Sequence, residues 1–252
     1  MEIKVVDSYE ELSQVSAVLI KNELSAAQKL PFVLGLATGS TPIGLYQELI
    51  HHHRENDLDF SNVITFNLDE YVGLPASHPQ SYHTFMFERF FHHINIPLRN
   101  IHIPEGDHPN LKYECEQYEK KICQTKGIDI QILGIGSNGH IGFNEPGSDP
   151  EGRTQIVQLT ESTLKANARF FGDIVLVPRY AVSMGLKTIL ESKKIILLAS
   201  GEEKAEAIQK MIEGDVTPQV PSSFLQSHSN ITVIADKEAA KYLTKTTDHI
   251  SN

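Results

Sequence analysis

The sequence predicts an α/β fold, a single domain over residues 1–252. Three observations predict it. Short apolar runs bounded by turn residues recur along the chain, stretches with apolar residues at three-to-four spacing separate them, and loops rich in glycine or hydroxyls follow several of the runs directly. Alternation of this kind implies a mainly parallel, doubly wound, Rossmann-like sheet with helices on both faces.

In chain order, residues 12–24 carry charged and apolar residues at helical spacing. The run 32–37 is short and unbroken enough to be a buried strand, and 43–53 returns to the helical pattern. Residues 63–66 form a second strand, 82–93 a helix, 101–104 a weak strand, 111–126 a strongly amphipathic helix and 128–133 another strand. The later part reads as helix 181–190, strand 195–198, helix 202–212, strand 231–234 and helix 237–243.

A chain of 252 residues with 40% hydrophobic content can bury one substantial core. Its net charge of −10 disfavours nonspecific binding to nucleic acid or anionic lipid, and no basic patch with interleaved aromatics appears. No apolar run reaches membrane-span length, and the start Met1-Glu-Ile-Lys-Val-Val-Asp7 has no signal-peptide core, so a cytoplasmic protein is expected. Cys115 and Cys123, eight apart in one helical pattern, fit neither a metal site nor a disulfide framework and read as reduced thiols. The cluster His51, His52 and His53 reads as a solvated helix end, because consecutive helical residues diverge while cations favour a helix C-terminus. No metal site is expected.

Ligands of such sheets lie beyond the carboxyl ends of the strands, so the loops that follow strands hold the candidate chemistry. Gly134-Ile-Gly-Ser-Asn-Gly-His140-Ile-Gly-Phe-Asn-Glu145-Pro-Gly147 is the most informative, since it places a histidine and a carboxylate among five glycines at the cost of much backbone order. Its first residues match the dinucleotide pattern Gly134-x-Gly136-x-x-Gly139, but Gly142, Pro146 and Gly147 leave no helix for a pyrophosphate to meet, which argues against a nicotinamide or flavin site. Gly39-Ser40-Thr41-Pro42 leads into a helix with proline in its first turn and could seat a phosphate on free amides and hydroxyls, or be an ordinary capped helix start. Asp69 and Glu70 end an apolar strand. Burial there would make Asp69 a base near neutral pH, unless both acids cap the following turn.

Gly39-Ser-Thr-Pro42, Asn67-Leu-Asp-Glu-Tyr-Val-Gly-Leu74, His78-Pro-Gln-Ser-Tyr82 and the 134–146 loop together resemble the glucosamine-6-phosphate deaminases. The likeness continues through Ala166-Asn-Ala-Arg-Phe-Phe171, Val177-Pro-Arg-Tyr-Ala181 and Gly201-Glu-Glu-Lys204, nearly end to end. It implies a deaminating isomerase that converts glucosamine 6-phosphate and water to fructose 6-phosphate and ammonia without a cofactor. By that resemblance Asp69 moves a proton between C2 and C1, His140 serves ring opening, and Glu145 orients or tunes His140. The phosphate falls to Gly39, Ser40, Thr41, Arg169 and Lys204, and residues of about 150–184 resemble the family's mobile lid. Some members carry aspartate where this chain has Asn138, whose amide oxygen can still accept a hydrogen bond from His140.

Two other readings compete. A 6-phosphogluconolactonase-like hydrolase has no need of Asp69 in its Asn-Leu-Asp-Glu-Tyr setting, and a noncatalytic sugar-phosphate sensor need not keep Asp69, His140 and Glu145 together. Members activated by N-acetylglucosamine 6-phosphate carry basic residues at the positions matching Gln155 and Val157, and a longer C-terminus than Asp248-His-Ile-Ser-Asn252. Neither residue here is cationic, so the resemblance implies an unregulated enzyme, a monomer or small homo-oligomer.

Overall fold

Apolar runs become strands here because their neighbours on both sides are strands too, so both faces and both edges of the backbone are satisfied. In the computed structural model, which describes residues 1–27 and 31–244, the elements run β1 (Glu2–Val6), α1 (Tyr9–Ala26), β2 (Phe32–Leu36), α2 (Pro42–Arg54), β3 (Val63–Asn67), β4 (Asp69–Tyr71), α3 (Tyr82–Arg89), β5 (Ile101–His102) and α4 (Leu111–Gln124). They continue as β6 (Ile130–Leu133), β7 (Gln155–Gln158), α5 (Glu161–Phe171), β8 (Tyr180–Ser183), α6 (Leu186–Leu190), β9 (Lys194–Ala199), α7 (Ala205–Glu213) and β10 (Ile231–Asp236).

Seven strands form one sheet in the order β1-β10-β9-β6-β2-β3-β5, and each pairing in it is parallel. The chain moves outward from β2 through β3 to β5 and, from β6, the other way through β9. A switch point therefore lies between β2 and β6, where Leu34 faces Ile130. Leu12, Ile20, Leu45, Tyr46, Leu49 and Met86 pack α1, α2 and α3 on one face of the sheet. Tyr118, Ile122, Leu186, Ile189, Ile208 and Met211 bring α4, α6 and α7 against the other. Each such buried side chain stabilises the fold by roughly 1.5–3 kcal/mol. The doubly wound architecture is as expected.

A second, antiparallel sheet of order β4-β8-β7 was not foreseen. It has its own apolar cluster of Tyr71, Phe143, Leu159, Leu164, Val177 and Ala181. The expected helix over 181–190 is corrected accordingly: Tyr180–Ser183 is strand β8, which pairs with β4 and β7, and only Leu186–Leu190 is helical. Gly185 stands at the junction as the N-cap of α6, where the chain passes so close that a Cβ would sit 2.2 Å from the Gly152 carbonyl oxygen.

β1 was missed because Glu2 and Lys4 interrupt its apolar pattern, yet its backbone pairs along β10 from Glu2–Thr232 to Val6–Asp236. The α-helix expected over 82–93 ends at Arg89, since Phe90 turns to φ −144° and a 3-10 turn follows at Phe91–His93. The helix expected over 237–243 is a set of turns, begun where the Asp236 carboxylate accepts the Ala239 amide at 2.8 Å. The C-terminal segment ending Asp248 to Asn252 lies outside the described residues. Among those described, no helix is long and apolar enough to cross a membrane.

Candidate active site

Four adjacent strands, β9, β6, β2 and β3, point their carboxyl ends at one cleft of about 540 Å³. Each end contributes a different chemistry. β2 supplies Thr38 to Thr41, β3 leads to Asp69, β6 to the loop with Asn138 and His140, and β9 to Lys204, while α5 covers the cleft with Thr163, Asn167, Arg169 and Phe171.

At the β2 end Gly39 takes φ 99°, a conformation that side chains resist, and turns the chain into α2. The helix's own first amides are already used, which refines the sequence expectation. Pro42 has none, Ile43 N–H bonds the Ser40 carbonyl at 3.3 Å, and Gly44 N–H donates to the Tyr9 hydroxyl at 2.7 Å. What stays open is the loop Gly39-Ser40-Thr41 itself, where Thr41 makes no side-chain capping bond. Arg169 closes this end from the last turn of α5, and Lys204 enters from the N-cap of α7. Burial lowers the Lys204 pKa, Glu203 opposes that, and the Arg169 charge lowers it further. Lys204 and Arg169 are thus close enough for one charge to act on the other, and both line the cleft that the Gly39–Thr41 loop also lines.

The paired acids divide their roles by position. Glu70 accepts the amides of Tyr71 at 2.8 Å and of Tyr82 and His83 at 2.9 Å, and so caps the start of α3. Asp69, only 5% exposed, lines the cleft where the chain crosses from the large sheet to the small one. Burial pushes its carboxyl up to about 8, the Glu70 charge adds to this, and the Thr38 hydroxyl works against it.

Across the cleft, the β6 loop builds a chain of three side chains. Asn138 Nδ2 donates to Glu145 Oε2 at 2.8 Å, which leaves Asn138 Oδ1 to face His140 Nδ1 at 2.7 Å. A carboxylate can only accept, so this order puts the imidazole proton on Nδ1 and a lone pair on Nε2. Burial opposes charge on Glu145, but His140, the Thr163 hydroxyl and the Asn138 amide together hold its carboxyl down at about 2. The glycines here are spacers: a Cβ on Gly136 would lie 2.2 Å from the His140 ring.

Every residue expected to serve catalysis or hold the phosphate lines this cleft except Glu145, which stands behind His140, 3.5 Å from its Nδ1. Sequence reasoning missed Thr38 and Thr163, which reach Asp69 and Glu145, and the Tyr71–Tyr82 hydroxyl pair at 3.2 Å. Tyr71 and Tyr82 stood within recognised motifs, whereas the Thr163 contact carries no local signal. Among the described residues, no group of three or more His, Cys, Asp or Glu could hold a metal ion, and Cys115 and Cys123 are free.

The sequence matches the family of glucosamine-6-phosphate isomerases and 6-phosphogluconolactonases over residues 7–234. It is 62% identical over 245 residues to glucosamine-6-phosphate deaminase 2 of Bacillus subtilis (strain 168), across 96% of this chain and 98% of that protein. Identity to a glucosamine-6-phosphate deaminase of Thermoanaerobacter sp. (strain X514) is 53%, across 96% of this chain and 95% of the relative. Among solved structures, a monomeric glucosamine-6-phosphate deaminase superposes with a TM-score of 0.93 at 46% identity, covering 96% of this chain and 100% of that one. A 6-phosphogluconolactonase from Leishmania guyanensis reaches a TM-score of 0.75 at 19% identity, over 97% of this chain and 99% of its own, and shares the fold alone.

Proposed function

The chain belongs to the family of glucosamine-6-phosphate isomerases and 6-phosphogluconolactonases, and from that premise we propose that it converts glucosamine 6-phosphate and water to fructose 6-phosphate and ammonia. The observation that carries this reading is the opposition of Asp69, a buried carboxyl raised to about 8, to a histidine whose tautomer is fixed by Asn138 and Glu145. A base poised near neutrality and an imidazole lone pair are the two proton carriers that ring opening followed by isomerisation demands.

The phosphate sits on Gly39, Ser40 and Thr41, clasped by Arg169 and Lys204, and its position sets the reach of the sugar. His140 Nε2 takes the anomeric hydroxyl proton and returns one to the ring oxygen as the C1–O5 bond breaks. Asp69 then removes the C2 proton and delivers it to C1, while the substrate ammonium gives up one proton and O1 gains one, which leaves a C1 hydroxymethyl group and a protonated imine at C2. Water adds at C2, the C2–N bond breaks, and ammonia departs. No redox step occurs, and the substrate's own ammonium group, beside Asp69, favours the ionised carboxylate that the step needs.

Residues 150–184, which pack Leu159, Leu164, Val177 and Ala181 against Tyr71 and Phe143, form the lid that closes over the sugar and excludes water. The enzyme acts as a monomer without an effector. Gln155 and Val157 on β7 offer no charge to a second phosphate, and the nearby Arg153 is already paired with Glu119 at 3.1 Å and Glu191 at 2.6 Å.

A direct comparison of substrates tests the reading. The purified protein, supplied with glucosamine 6-phosphate and no cofactor, should release ammonia and fructose 6-phosphate together. Hydrolysis of 6-phosphogluconolactone at a matching rate, with no ammonia from the amino sugar, would replace this function with the lactonase one.

A further inference from the structure

Glu145 is gripped from two sides, and only one side belongs to the loop that carries His140. On that side Oε2 accepts Asn138 Nδ2 at 2.8 Å and lies 3.5 Å from His140 Nδ1. On the other, Oε1 accepts the hydroxyl of Thr163, which is buried in the first turn of α5 eighteen residues further along the chain. Thr163 is itself seated by the helix cap: its amide reaches Thr160 Oγ1 at 3.4 Å, and Thr160 Oγ1 donates to the Thr163 hydroxyl at 3.2 Å. The same helix presents Arg169 to the anion end of the cleft. One rigid element therefore touches both the phosphate seat and the carboxylate behind the histidine.

We infer that Thr163 is a positioning residue that couples the seating of α5 over the substrate to the Glu145–His140 pair. The inference rests on the deaminase reading of the cleft. When Arg169 meets the phosphate, α5 is held down and the Thr163 hydroxyl completes the donor set of Glu145. When α5 is displaced, that buried carboxylate loses a donor and with it part of its fixed orientation, so His140 is correctly poised only under a closed helix. Ring opening then waits for the phosphate to be bound.

Thr163→Val keeps the shape of the side chain and removes the hydroxyl, and Thr163→Ser restores it. Turnover, its pH profile, and calorimetric binding of 2-amino-2-deoxyglucitol 6-phosphate, an open-chain analogue that needs no ring opening, are measured on each. The valine variant should lose about tenfold to a hundredfold in kcat, the range expected for one hydrogen bond to a charged group. Losing a donor disfavours the charged form of Glu145, so the acid limb of its kcat profile should move to higher pH. Binding of the alditol phosphate should stay within about threefold, and serine should restore both rate and limb. A valine variant with unchanged kcat and limb would overturn the inference, as would valine and serine variants equally impaired with the limb unmoved. Thr163→Ala carries the same test if valine prevents folding. Wild-type protein that released no ammonia would remove the deaminase reading and this inference together, whereas active wild type with indifferent variants removes the inference alone.

Discussion

Asp69 and Glu145 are both buried carboxylates, and their surroundings drive them apart. Asp69 has little to offset the loss of water and is pushed up to about 8, while Glu145 accepts from Asn138 and Thr163, lies beside the His140 ring and is held at about 2. Their effects on stability have opposite signs. The folded-state value of Asp69 exceeds its unfolded 3.8, so stability is lost as pH rises from about 4 to about 8. Glu145 lies below its unfolded 4.5, so its contribution is present above that pH and fades as pH falls toward 2. Asp69→Asn should therefore raise the melting temperature, by more at pH 8 than at pH 5 in calorimetry, while cutting turnover by about a thousandfold and leaving sugar-phosphate binding within about tenfold. Equal thermal gains at both pH values would contradict a buried ionised base. Arg169→Ala and Lys204→Ala should each weaken substrate binding by roughly 1.5–3 kcal/mol, and glucosamine without its phosphate should be a poor substrate in the same assay. His140 and Glu145 were legible in the sequence because they occupy a loop at a strand end, and Asp69 because it follows the end of β3 directly, where a parallel sheet places its chemistry. Thr163 was not, because its bond to Glu145 spans eighteen residues and only the packing of α5 brings the two together.

Elements place these side chains, and the strand order explains why four loops converge. With β9, β6, β2 and β3 adjacent, their carboxyl ends cannot avoid sharing a cleft. The β6 loop fits under His140 only because Gly136 has no side chain, so Gly136→Ala should displace the ring. We expect it to cut kcat by about tenfold through the displaced ring and, at an overpacking cost of roughly 1–3 kcal/mol, to lower the melting temperature as well. Leu164→Ala opens the separate cluster under α5 and should raise KM and speed proteolysis within 150–184 more than it lowers the global melting point. Central strands such as β2, buried along its whole length, were readable as unbroken apolar runs. The partly exposed strands β1 and β7 and the short β4 and β8 were not, because their pattern is set by partners distant in sequence.

At the scale of the molecule, an acidic chain of net charge −10 gathers Arg169 and Lys204 at one end of one cleft, so its attraction for an anion is local. The large sheet followed from the alternation of elements, but the small second sheet did not, since β7 and β8 are separated by a helix and β8 pairs with β4 far upstream. The proposed monomer without an effector site should give hyperbolic kinetics that N-acetylglucosamine 6-phosphate leaves unchanged. Light scattering and initial rates check both, and sigmoidal rates made hyperbolic by that sugar would contradict it. The most direct test of the account follows the reaction in deuterated water by NMR, with wild type and Asp69→Asn side by side. Wild type should release ammonia and fructose 6-phosphate one for one, with solvent deuterium entering at C1 in the fraction of turnovers in which the Asp69 carboxyl exchanges its proton before delivering it, and the variant should show neither. Undiminished ammonia release and C1 labelling by the Asp69 variant would contradict a proton carried between C2 and C1 by that carboxylate.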